Sequence, residues 1–340
     1  MASGLKVAVL GASGAVGREF VNLFERRRFP VSELRLLASP RSAGQTLSFR
    51  GRDVVIEAVS TDSFEGCDVA FFSAGAARSK EYAPHAVSAG AVVVDNSSAF
   101  RMDPDVPLVV PEINFDTIQP HHRIVANPNC SAIIALMAVK PLSELGHLER
   151  MIVSTYQSAS GAGWQAMEEL RVQTRDVLEG RPAQPKVLPH PYAFNLFSHN
   201  TPINEHGYND EEWKVIHETR KILSRPDLKV NATCVRVPVL RAHAESITLE
   251  YAGPAPSVEE ARAAIEAFPG TRLVDDRANN VFPMPLDATG KDDVLVGRIR
   301  QDVSNPNALC LFVSGDQLLK GAALNAVQIA ERLVQVGSIG

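Results

Sequence analysis

Short apolar runs recur along the early part of the chain, and several are apolar at almost every position. The first is Lys6–Leu10, and similar runs predict strands over 34–38, 54–59, 69–73, 91–95, 108–110 and 124–126. Strands that are apolar throughout are typical of a parallel sheet covered on both faces. Behind the first run, apolar residues return at helical spacing at Val16, Phe20, Leu23 and Phe24. The pattern over 1–130 therefore predicts an open α/β domain.

The pattern changes after a helix that is predicted to follow Cys130. Longer runs alternate apolar and polar positions and predict strands over 151–157, 229–239, 245–251, 294–300 and 308–314. Such alternation is typical of a sheet with one covered face, so we expect a largely antiparallel sheet. Capping-box patterns predict helices starting at Asn209 and Ser257, and a last helix is expected from Gln317 to about Val336. The segment 181–206, rich in Pro, His and Asn, is expected to be an irregular exposed loop.

With 340 residues, the chain is long enough for two domains with separate cores. We expect the first domain over 1–130 and the second over 131–316. The C-terminal helix, within 317–340, is expected to pack back on the first domain. The second face of the second sheet needs cover, so we expect copies of the chain to assemble through it.

Composition excludes several classes of function. The formal net charge is -5, which implies no basic face for nucleic acid. No apolar run approaches the roughly 20 residues that cross a bilayer, and the N-terminus lacks the features of a signal peptide. Four widely spaced cysteines, Cys67, Cys130, Cys234 and Cys310, show neither a CxxC pair nor zinc-site spacing. We therefore expect no metal and a reducing, cytoplasmic location with free thiols.

A glycine turn follows the first predicted strand. Gly11, Gly14 and Gly17 give the spacing GxxGxxG, one residue away from the GxGxxG dinucleotide fingerprint. Small residues let the backbone approach a pyrophosphate, which binds at the N-terminus of the next helix. The alternative is a tight turn whose glycines serve the backbone only. Its place after the first strand of an α/β domain favours a bound nucleotide.

The end of the second predicted strand bears on which nucleotide is bound. NAD-binding proteins usually carry an acidic residue there, which binds the ribose hydroxyls. This strand instead leads into Ala38-Ser-Pro-Arg41-Ser42, which contains no acid. Hydroxyls and an arginine suit the 2′-phosphate of NADP. A solvated surface loop is the alternative, but the missing acid favours NADP.

Cys130 follows the turn Asn127-Pro128-Asn129 and opens an apolar helical run. A helix N-terminus stabilises a thiolate through its dipole and free N–H groups. Asn129 adds an amide that could orient a substrate. A small residue packed at a domain junction is the alternative. A thiol near a nicotinamide, however, is the arrangement for oxidising an aldehyde or forming a thioester.

Several motifs run in order across nearly the whole chain. They are Gly11–Gly17, Arg41-Ser42, Asn96–Arg101, Asn127–Cys130, Gln157–Gly161, Arg236–His243 and Gly315–Ala323. Together they resemble the aspartate-semialdehyde dehydrogenases of the compact bacterial type, which are related in fold to glyceraldehyde-3-phosphate dehydrogenase. The resemblance implies a Rossmann-type α/β dinucleotide-binding domain and an α+β catalytic and dimerisation domain with a mostly antiparallel sheet.

The resemblance also implies a mechanism. Cys130 would attack the aldehyde, hydride would pass to NADP, and phosphate would attack the resulting thioester. In the cell the reaction would run in reverse, from L-aspartyl 4-phosphate to L-aspartate 4-semialdehyde. This step serves the biosynthesis of lysine, threonine, methionine, isoleucine and diaminopimelate. His243 would be the general acid and base, and Gln157 would orient the substrate.

Substrate and phosphate contacts follow from the same resemblance. Arg236 would bind the α-carboxylate, and Glu211 would meet the ammonium, although Glu212 is adjacent and could take that role. Inorganic phosphate would be bound by Lys214 with Arg101 and Asn129. From the residues alone, Glu211 and Lys214 could equally be a surface ion pair. The remaining loop histidines, expected to be structural, are His121, His122, His190 and His199.

The expected cofactor-binding residues come from both predicted domains. They are Gly11, Ser13, Gly14, Ala15, Val16, Arg41, Ser42, Ser160, Gly161 and Gln317. The resemblance further implies a homodimer or homotetramer. Two alternatives stay open: an N-acetyl-gamma-glutamyl-phosphate reductase, whose substrate has no free ammonium, and a non-catalytic NADP-binding relative.

Overall fold

The computed structural model describes residues 4–339. Their contacts separate two compact units, which are treated one at a time. Unit 1 is the described part of Met1–Asn129 together with Ala322–Gly340, and unit 2 is Cys130–Gly321. Within residues 4–339, no helix has both the length and the apolar character needed to cross a membrane.

The regular elements are numbered in chain order. The strands are β1 (Leu5–Leu10), β2 (Val31–Ala38), β3 (Thr46–Phe49), β4 (Arg52–Ala58), β5 (Val69–Phe72), β6 (Val92–Asp95), β7 (Ile124–Ala126), β8 (Leu148–Gln157), β9 (Phe197–Ser198), β10 (Lys229–Arg236), β11 (His243–Tyr251), β12 (Thr271–Leu273), β13 (Val294–Asp302) and β14 (Asn305–Gly315). The α-helices are α1 (Ala15–Arg26), α2 (Ala76–Ser88), α3 (Pro111–Asn114), α4 (Cys130–Ser143), α5 (Trp164–Leu178), α6 (Asp210–Ile222), α7 (Val258–Ala267), α8 (Pro285–Ala288) and α9 (Leu324–Gln335). Short 3-10 turns span Pro40–Ser42, Thr61–Phe64, Phe115–Thr117 and Ala159–Ala162, and a π-helical turn spans Leu319–Ala323.

Unit 1 contains a seven-stranded sheet in the order β3-β4-β2-β1-β5-β6-β7. Every neighbouring pair is parallel except β3 and β4. The aromatic rings of Phe20 and Phe24 on α1 pack on Phe71 of β5, with centroids 5.0 and 5.2 Å apart. These are the apolar helical positions noted in the sequence, so the predicted α/β fold is confirmed.

Helix α9 belongs to unit 1. Arg27, which follows α1, donates two hydrogen bonds to Glu331 on α9, at 2.8 and 2.7 Å. The buried amide of Asn325 donates to the carbonyl of Val109 and to Asn127 Oδ1. Asn325 therefore joins α9 to the segment that precedes Cys130.

Unit 2 contains a second seven-stranded sheet in the order β12-β13-β14-β11-β8-β10-β9. The pairs β8–β10 and β12–β13 are parallel, and the other neighbours are antiparallel. A mostly antiparallel sheet is therefore confirmed. The capping boxes predicted at Asn209 and Ser257 are present, each with its glutamate three residues later.

Some predictions of local structure are wrong. Residues 108–110 form only an isolated bridge, and β3, which was not predicted, pairs with β4 as a short edge hairpin. The helix expected from about Gln317 instead begins with a π-helical turn at Leu319, and the carboxylate of Asp316 accepts from the N–H groups of Leu318 and Leu319. The segment 181–206 is irregular, but Tyr192 and His199 within it are buried.

Candidate active site

The glycine turn of unit 1 is required by close packing. Gly11 has φ +93°, and a Cβ there would lie 2.4 Å from the carbonyl oxygen of Ser73. A Cβ on Gly17 would lie 2.3 Å from the carbonyl oxygen of Gly11. Gly14 precedes α1 and supplies no side-chain cap. The backbone at Ser13 and the start of α1, including Ala15 and Val16, is therefore open to an anion.

Arg41 and Ser42 lie in the 3-10 turn directly after β2. Strand β2 is parallel to β1, so its carboxyl end meets the same sheet edge as the glycine turn. Arg41 is exposed and Ser42 is half-buried. This edge therefore combines a helix N-terminus with a guanidinium, as a phosphorylated dinucleotide would require.

Arg101 is held inside unit 1 by backbone acceptors. Its Nε donates to the carbonyl of Asn127 at 2.9 Å, and Nη2 donates to the carbonyl of Asn96 at 3.0 Å. Asp95 fixes the turn between β6 and Arg101, because its carboxylate accepts a hydrogen bond from Ser97 Oγ at 2.7 Å. Burial raises the pKa of Asp95, and hydrogen bonds to its oxygens oppose that effect. Arg101 is thus fixed beside the turn that ends at Asn129, the last residue of the first segment of unit 1.

Cys130 is the first residue of α4, as predicted, and its thiol is not in a disulfide. It is half-buried, whereas most of α4 behind it is buried. A Cβ on Gly321 would lie 3.0 Å from the Cβ of Cys130, so the π-helical turn packs closely against the cysteine. The thiol therefore sits at a fixed helix N-terminus.

Gln157 ends β8 and links α4 to α6. Its Nε2 donates to Ser131 Oγ at 2.6 Å and to Glu211 Oε1 at 3.0 Å. Ser131 is the neighbour of Cys130, so this amide lies close to the helix start that bears the thiol. Glu211 is buried and also contacts Lys214, with Nζ 3.6 Å from Oε2. The alternative in which Glu211 and Lys214 form only a surface ion pair is therefore excluded.

The two adjacent glutamates of α6 have different partners. Glu212 accepts from the backbone N–H of Asn209 at 3.0 Å and from that of Cys234 at 2.9 Å. Its carboxylate is therefore used by the helix cap and by β10. Only Glu211 of the two contacts Gln157, which the sequence alone could not decide.

His243 begins β11 and is fully buried. The N–H of Ser158 donates to its Nδ1 at 3.0 Å, and Ser158 Oγ lies 3.0 Å from the same atom. Because a backbone N–H can only donate, the neutral ring in this arrangement carries its proton on Nε2. Burial, followed by the charge of Arg236, lowers the pKa of His243 to about 3. The imidazole is therefore neutral at physiological pH.

Arg236 ends β10, directly opposite Gln157 of β8. Its Nη1 donates to the carbonyl of Ser158 at 3.3 Å. A Cβ on Gly161 would lie 3.0 Å from His243 Cε1 and 3.2 Å from Arg236 Nη1. Gly161 thus lies against both side chains and leaves room that any other residue would fill.

Ser160 and Gln317 meet at the same place in unit 2. The Nε2 of Gln317 donates to Ser160 Oγ in a short hydrogen bond, and its Oε1 accepts from the N–H of Ala242 at 3.0 Å. Gln317 therefore joins the end of β14 to the residue before His243. The structure brings the predicted unit 2 residues Ser160, Gly161 and Gln317 together around this histidine.

Two residues beside these groups were missed by the sequence analysis. Ser158 contacts His243, as described above. His199 was expected to be a structural loop residue; it lies in a loop, and its Nε2 is 2.8 Å from Arg236 Nη2. Its place beside Arg236 follows from the pairing of β9 with β10, which brings this loop to the guanidinium. No local sequence signal indicates this long-range pairing.

Three of the buried polar atoms that lack a partner in the described part of the chain belong to residues that the sequence predicts to contact substrate, while others lie on Thr155, His217, Thr219 and Glu245. Gln157 Oε1, Arg236 Nε and His243 Nε2 have no hydrogen-bond partner within residues 4–339. Buried polar groups without a partner are rare and need an explanation. Together they offer an acceptor, a charged donor and an imidazole N–H to a polar ligand near a thiol. In the same residues, no group of three or more His, Cys, Asp or Glu side chains is placed to hold a metal ion.

Each unit matches a domain of a known protein family. Residues 6–121 match the semialdehyde dehydrogenase NAD binding domain, and residues 139–320 match the semialdehyde dehydrogenase dimerisation domain. The chain therefore contains a nucleotide-binding domain of this family.

Individual relatives agree with the family match. The aspartate-semialdehyde dehydrogenase of Synechocystis sp. is 58% identical over 99% of both chains. The crystal structure of aspartate semialdehyde dehydrogenase II from Vibrio cholerae, complexed with ASA, is 44% identical over 98% of both chains, with a TM-score of 0.94. The crystal structure of the Candida albicans enzyme with NADP is 27% identical, covers 99% of this chain and 100% of its own, and has a TM-score of 0.78. The chain belongs to the aspartate-semialdehyde dehydrogenase family and is an oxidoreductase that acts on an aldehyde.

Proposed function

We propose that the chain catalyses the NADP- and phosphate-dependent oxidation of L-aspartate 4-semialdehyde. In the cell it runs in reverse, as the reductive dephosphorylation of L-aspartyl 4-phosphate. This is the shared step toward lysine, threonine, methionine, isoleucine and diaminopimelate. The observation that carries the proposal is the set of unpaired, buried atoms on Gln157, Arg236 and His243, in the unit whose first residue is Cys130.

Cys130 acts as the nucleophile. Its thiolate attacks the aldehyde carbon, a C–S bond forms, and the carbonyl π electrons move to the oxygen. The Nε2–H of His243 donates a hydrogen bond to that oxygen, as a general acid would. A base role for Nε2 would require the ring proton on Nδ1, where the N–H of Ser158 already donates, so this arrangement favours the acid role.

The glycine turn and the start of α1 would hold NADP, which would supply the acceptor for the hydride that leaves the carbon on sulfur. The chain's residues fit this cofactor, because the glycine turn excludes any Cβ and α1 begins without a side-chain cap. Collapse of the oxyanion restores the C=O bond as a thioester on Cys130. A phosphate oxygen then attacks this carbon, the C–S bond breaks, and the thiolate is recovered.

The substrate is recognised at both ends. Arg236 binds the α-carboxylate through a planar guanidinium, Glu211 binds the ammonium, and Gln157 orients the chain between them. Lys214 in unit 2 and, separately, Arg101 and Asn129 in unit 1 are proposed to bind inorganic phosphate. The N-acetylated glutamyl substrate has no ammonium, so the buried Glu211 would face a neutral amide, which disfavours that alternative.

The preference for NADP over NAD rests on Arg41 and Ser42 at an edge that lacks an acid. Replacing Arg41 with Ala is expected to raise the KM for NADP by about tenfold and to leave the KM for NAD within about twofold. Initial rates at varied cofactor concentration measure this. Equal changes in the KM for NADP and for NAD would show that Arg41 does not contact the 2′-phosphate.

Assembly is proposed to be a homodimer or homotetramer through the sheet of unit 2. Unit 1, including α9, is proposed to bind the dinucleotide, and unit 2 to carry catalysis and dimerisation. The thiol chemistry needs Cys130 reduced, which fits a cytoplasmic location.

The decisive experiment measures phosphate-dependent reduction of NADP with L-aspartate 4-semialdehyde, repeated with N-acetyl-L-glutamate 5-semialdehyde. We expect turnover of the first aldehyde only. Without phosphate, NADPH should form as a burst of about one per active site, followed only by slow thioester hydrolysis. Turnover of the acetylated aldehyde alone would instead support the alternative function, an N-acetyl-gamma-glutamyl-phosphate reductase. Absence of turnover with both would support a non-catalytic relative.

A further inference from the structure

His199 is tied to the strand that carries Arg236. Strand β9 pairs with the end of β10, so that Phe197 lies opposite Arg236. The N–H of His199 then donates to the carbonyl of Cys234 at 2.9 Å. The backbone of His199 is therefore fixed beside the guanidinium, although the segment around it is irregular.

The side chain of His199 can only be an acceptor toward Arg236. Its Nε2 lies 2.8 Å from Nη2, and a guanidinium has donors but no acceptor. The proton of the neutral ring must therefore be on Nδ1, which lies 3.4 Å from Thr201 Oγ1. Burial lowers the pKa of His199 to about 4; Glu211 opposes this effect, and Arg236 and Lys214 add to it. The ring is neutral at physiological pH.

Arg236 is held by two neutral acceptors, the ring of His199 and the carbonyl of Ser158. They come from different parts of unit 2 and contact different nitrogens, so together they fix the plane of the guanidinium. Neither neutralises its charge. Nε stays buried without a partner among the described residues. A carboxylate in place of His199 would instead form an ion pair and compete with an anionic ligand.

We propose that His199 is a positioning residue that orients Arg236 for the substrate α-carboxylate while leaving its charge available. The assignment rests on the proposed function and adds a residue to its recognition of the substrate α-carboxylate. His199 itself touches Arg236 rather than the reacting atoms.

Three substitutions test the assignment through KM and kcat for aspartate semialdehyde. His199→Leu removes the acceptor and is expected to raise KM about tenfold while kcat changes by less than about threefold. His199→Gln keeps a neutral acceptor of similar reach and should stay within about threefold of wild type. His199→Glu pairs with Arg236 and should raise KM at least as much as Leu. If His199→Leu does not fold, the Gln and Glu variants, which match in size, decide the question.

Two controls separate positioning from general packing. 3-Aminopropanal is the same aldehyde without the α-carboxylate, and its kcat/KM should be equal in wild type and His199→Leu. The KM for phosphate and for NADP should also be unchanged. Nitrogen-15 NMR of the wild type should show a neutral ring protonated on Nδ1.

Several results would overturn the assignment. They are an unchanged KM in His199→Leu, equal losses on both aldehydes, indistinguishable Gln and Glu variants, or a ring protonated on Nε2. A wild type that turns over no aspartate semialdehyde would overturn the proposed function first, and this refinement with it.

Discussion

The two faces of the unit 2 sheet differ sharply, although the same strands build both. Helices α4, α6 and α7 cover the inner face, where Gln157, Arg236 and His243 lie. On the outer face, Ser154 and Thr248 are half-buried, and Tyr156 is 38% exposed. The rings of Tyr156 and Phe312 contact each other there, with centroids 6.2 Å apart. Alternation along a strand therefore gives neighbouring residues opposite environments.

Burial explains the chemistry of the inner face. It raises the pKa of the Cys234 thiol and holds that of Glu245 well above its usual value, whereas it lowers the pKa of His243 and His199. Each shift favours the neutral form of the group. A core selected only for stability would be apolar, so this concentration of buried polar groups indicates function. The outer face carries an aromatic contact and neutral side chains, with the ion pair of Arg150 and Glu250 farther along the strands, and such a surface suits contact with another copy of the chain.

The largest expected effect is the loss of kcat on replacing Cys130, compared with replacement of a cysteine on the outer face of the sheet. Cys130→Ser should lower kcat by at least about a thousandfold, because a serine hydroxyl is not ionised at neutral pH. Cys310 is on the outer face, and Cys310→Ser should keep kcat within about twofold. Steady-state rates with aspartate semialdehyde check both, with thermal unfolding as the control for folding. Comparable losses of kcat in the two variants would contradict the assignment of catalysis to Cys130 and not to the outer face.

The next effect concerns assembly through the outer face. Phe312→Lys should weaken subunit association by about a hundredfold, because a charge would be placed in an apolar contact. Sedimentation velocity across a protein dilution series measures this. Val55→Lys, at an exposed strand position of unit 1, should sediment like wild type. Unchanged sedimentation of Phe312→Lys would move the interface elsewhere.

A smaller effect distinguishes the adjacent glutamates of α6. Glu211→Gln should raise the KM for aspartate semialdehyde about tenfold with little change in stability, because its carboxylate is proposed to meet the ammonium. Glu212→Gln should do the opposite. It weakens the acceptors for Asn209 and Cys234 and should lower the free energy of unfolding by about 1–2 kcal/mol. Kinetics and urea denaturation of both variants provide the test, and reversed results would exchange their roles.

The smallest effect is a pH dependence at His199. Its pKa is about 4 in the folded protein and about 6.5 when unfolded, so the unfolded state takes up a proton first as the pH falls. Wild type should therefore lose stability relative to His199→Gln below about pH 6.5. Between pH 6.5 and 5.5 the difference in unfolding free energy should change by about 1 kcal/mol. Urea denaturation at several pH values measures it, and a constant difference would show that His199 is not held neutral by burial.

Much of the fold could be predicted from local pattern. Apolar runs located most strands, the capping boxes at Asn209 and Ser257 were correct, and α4 begins at Cys130. Strand β3 was missed because its pairing with β4 at the sheet edge leaves a weak apolar signal. The burial of Tyr192 and His199 was missed because long-range packing, rather than local composition, determines it.

The sequence by itself determined where the chemistry starts. It fixed a glycine turn before a helix, a thiol at a helix N-terminus, and the polar residues at the ends of three strands. Only the tertiary structure decided that Glu211 rather than Glu212 contacts Gln157, that Ser158 holds His243, and that His199 accepts from Arg236. These choices depend on pairings between strands and loops far apart in the chain. Local propensity contains no information on which distant hydrogen-bonding group will fill a given position.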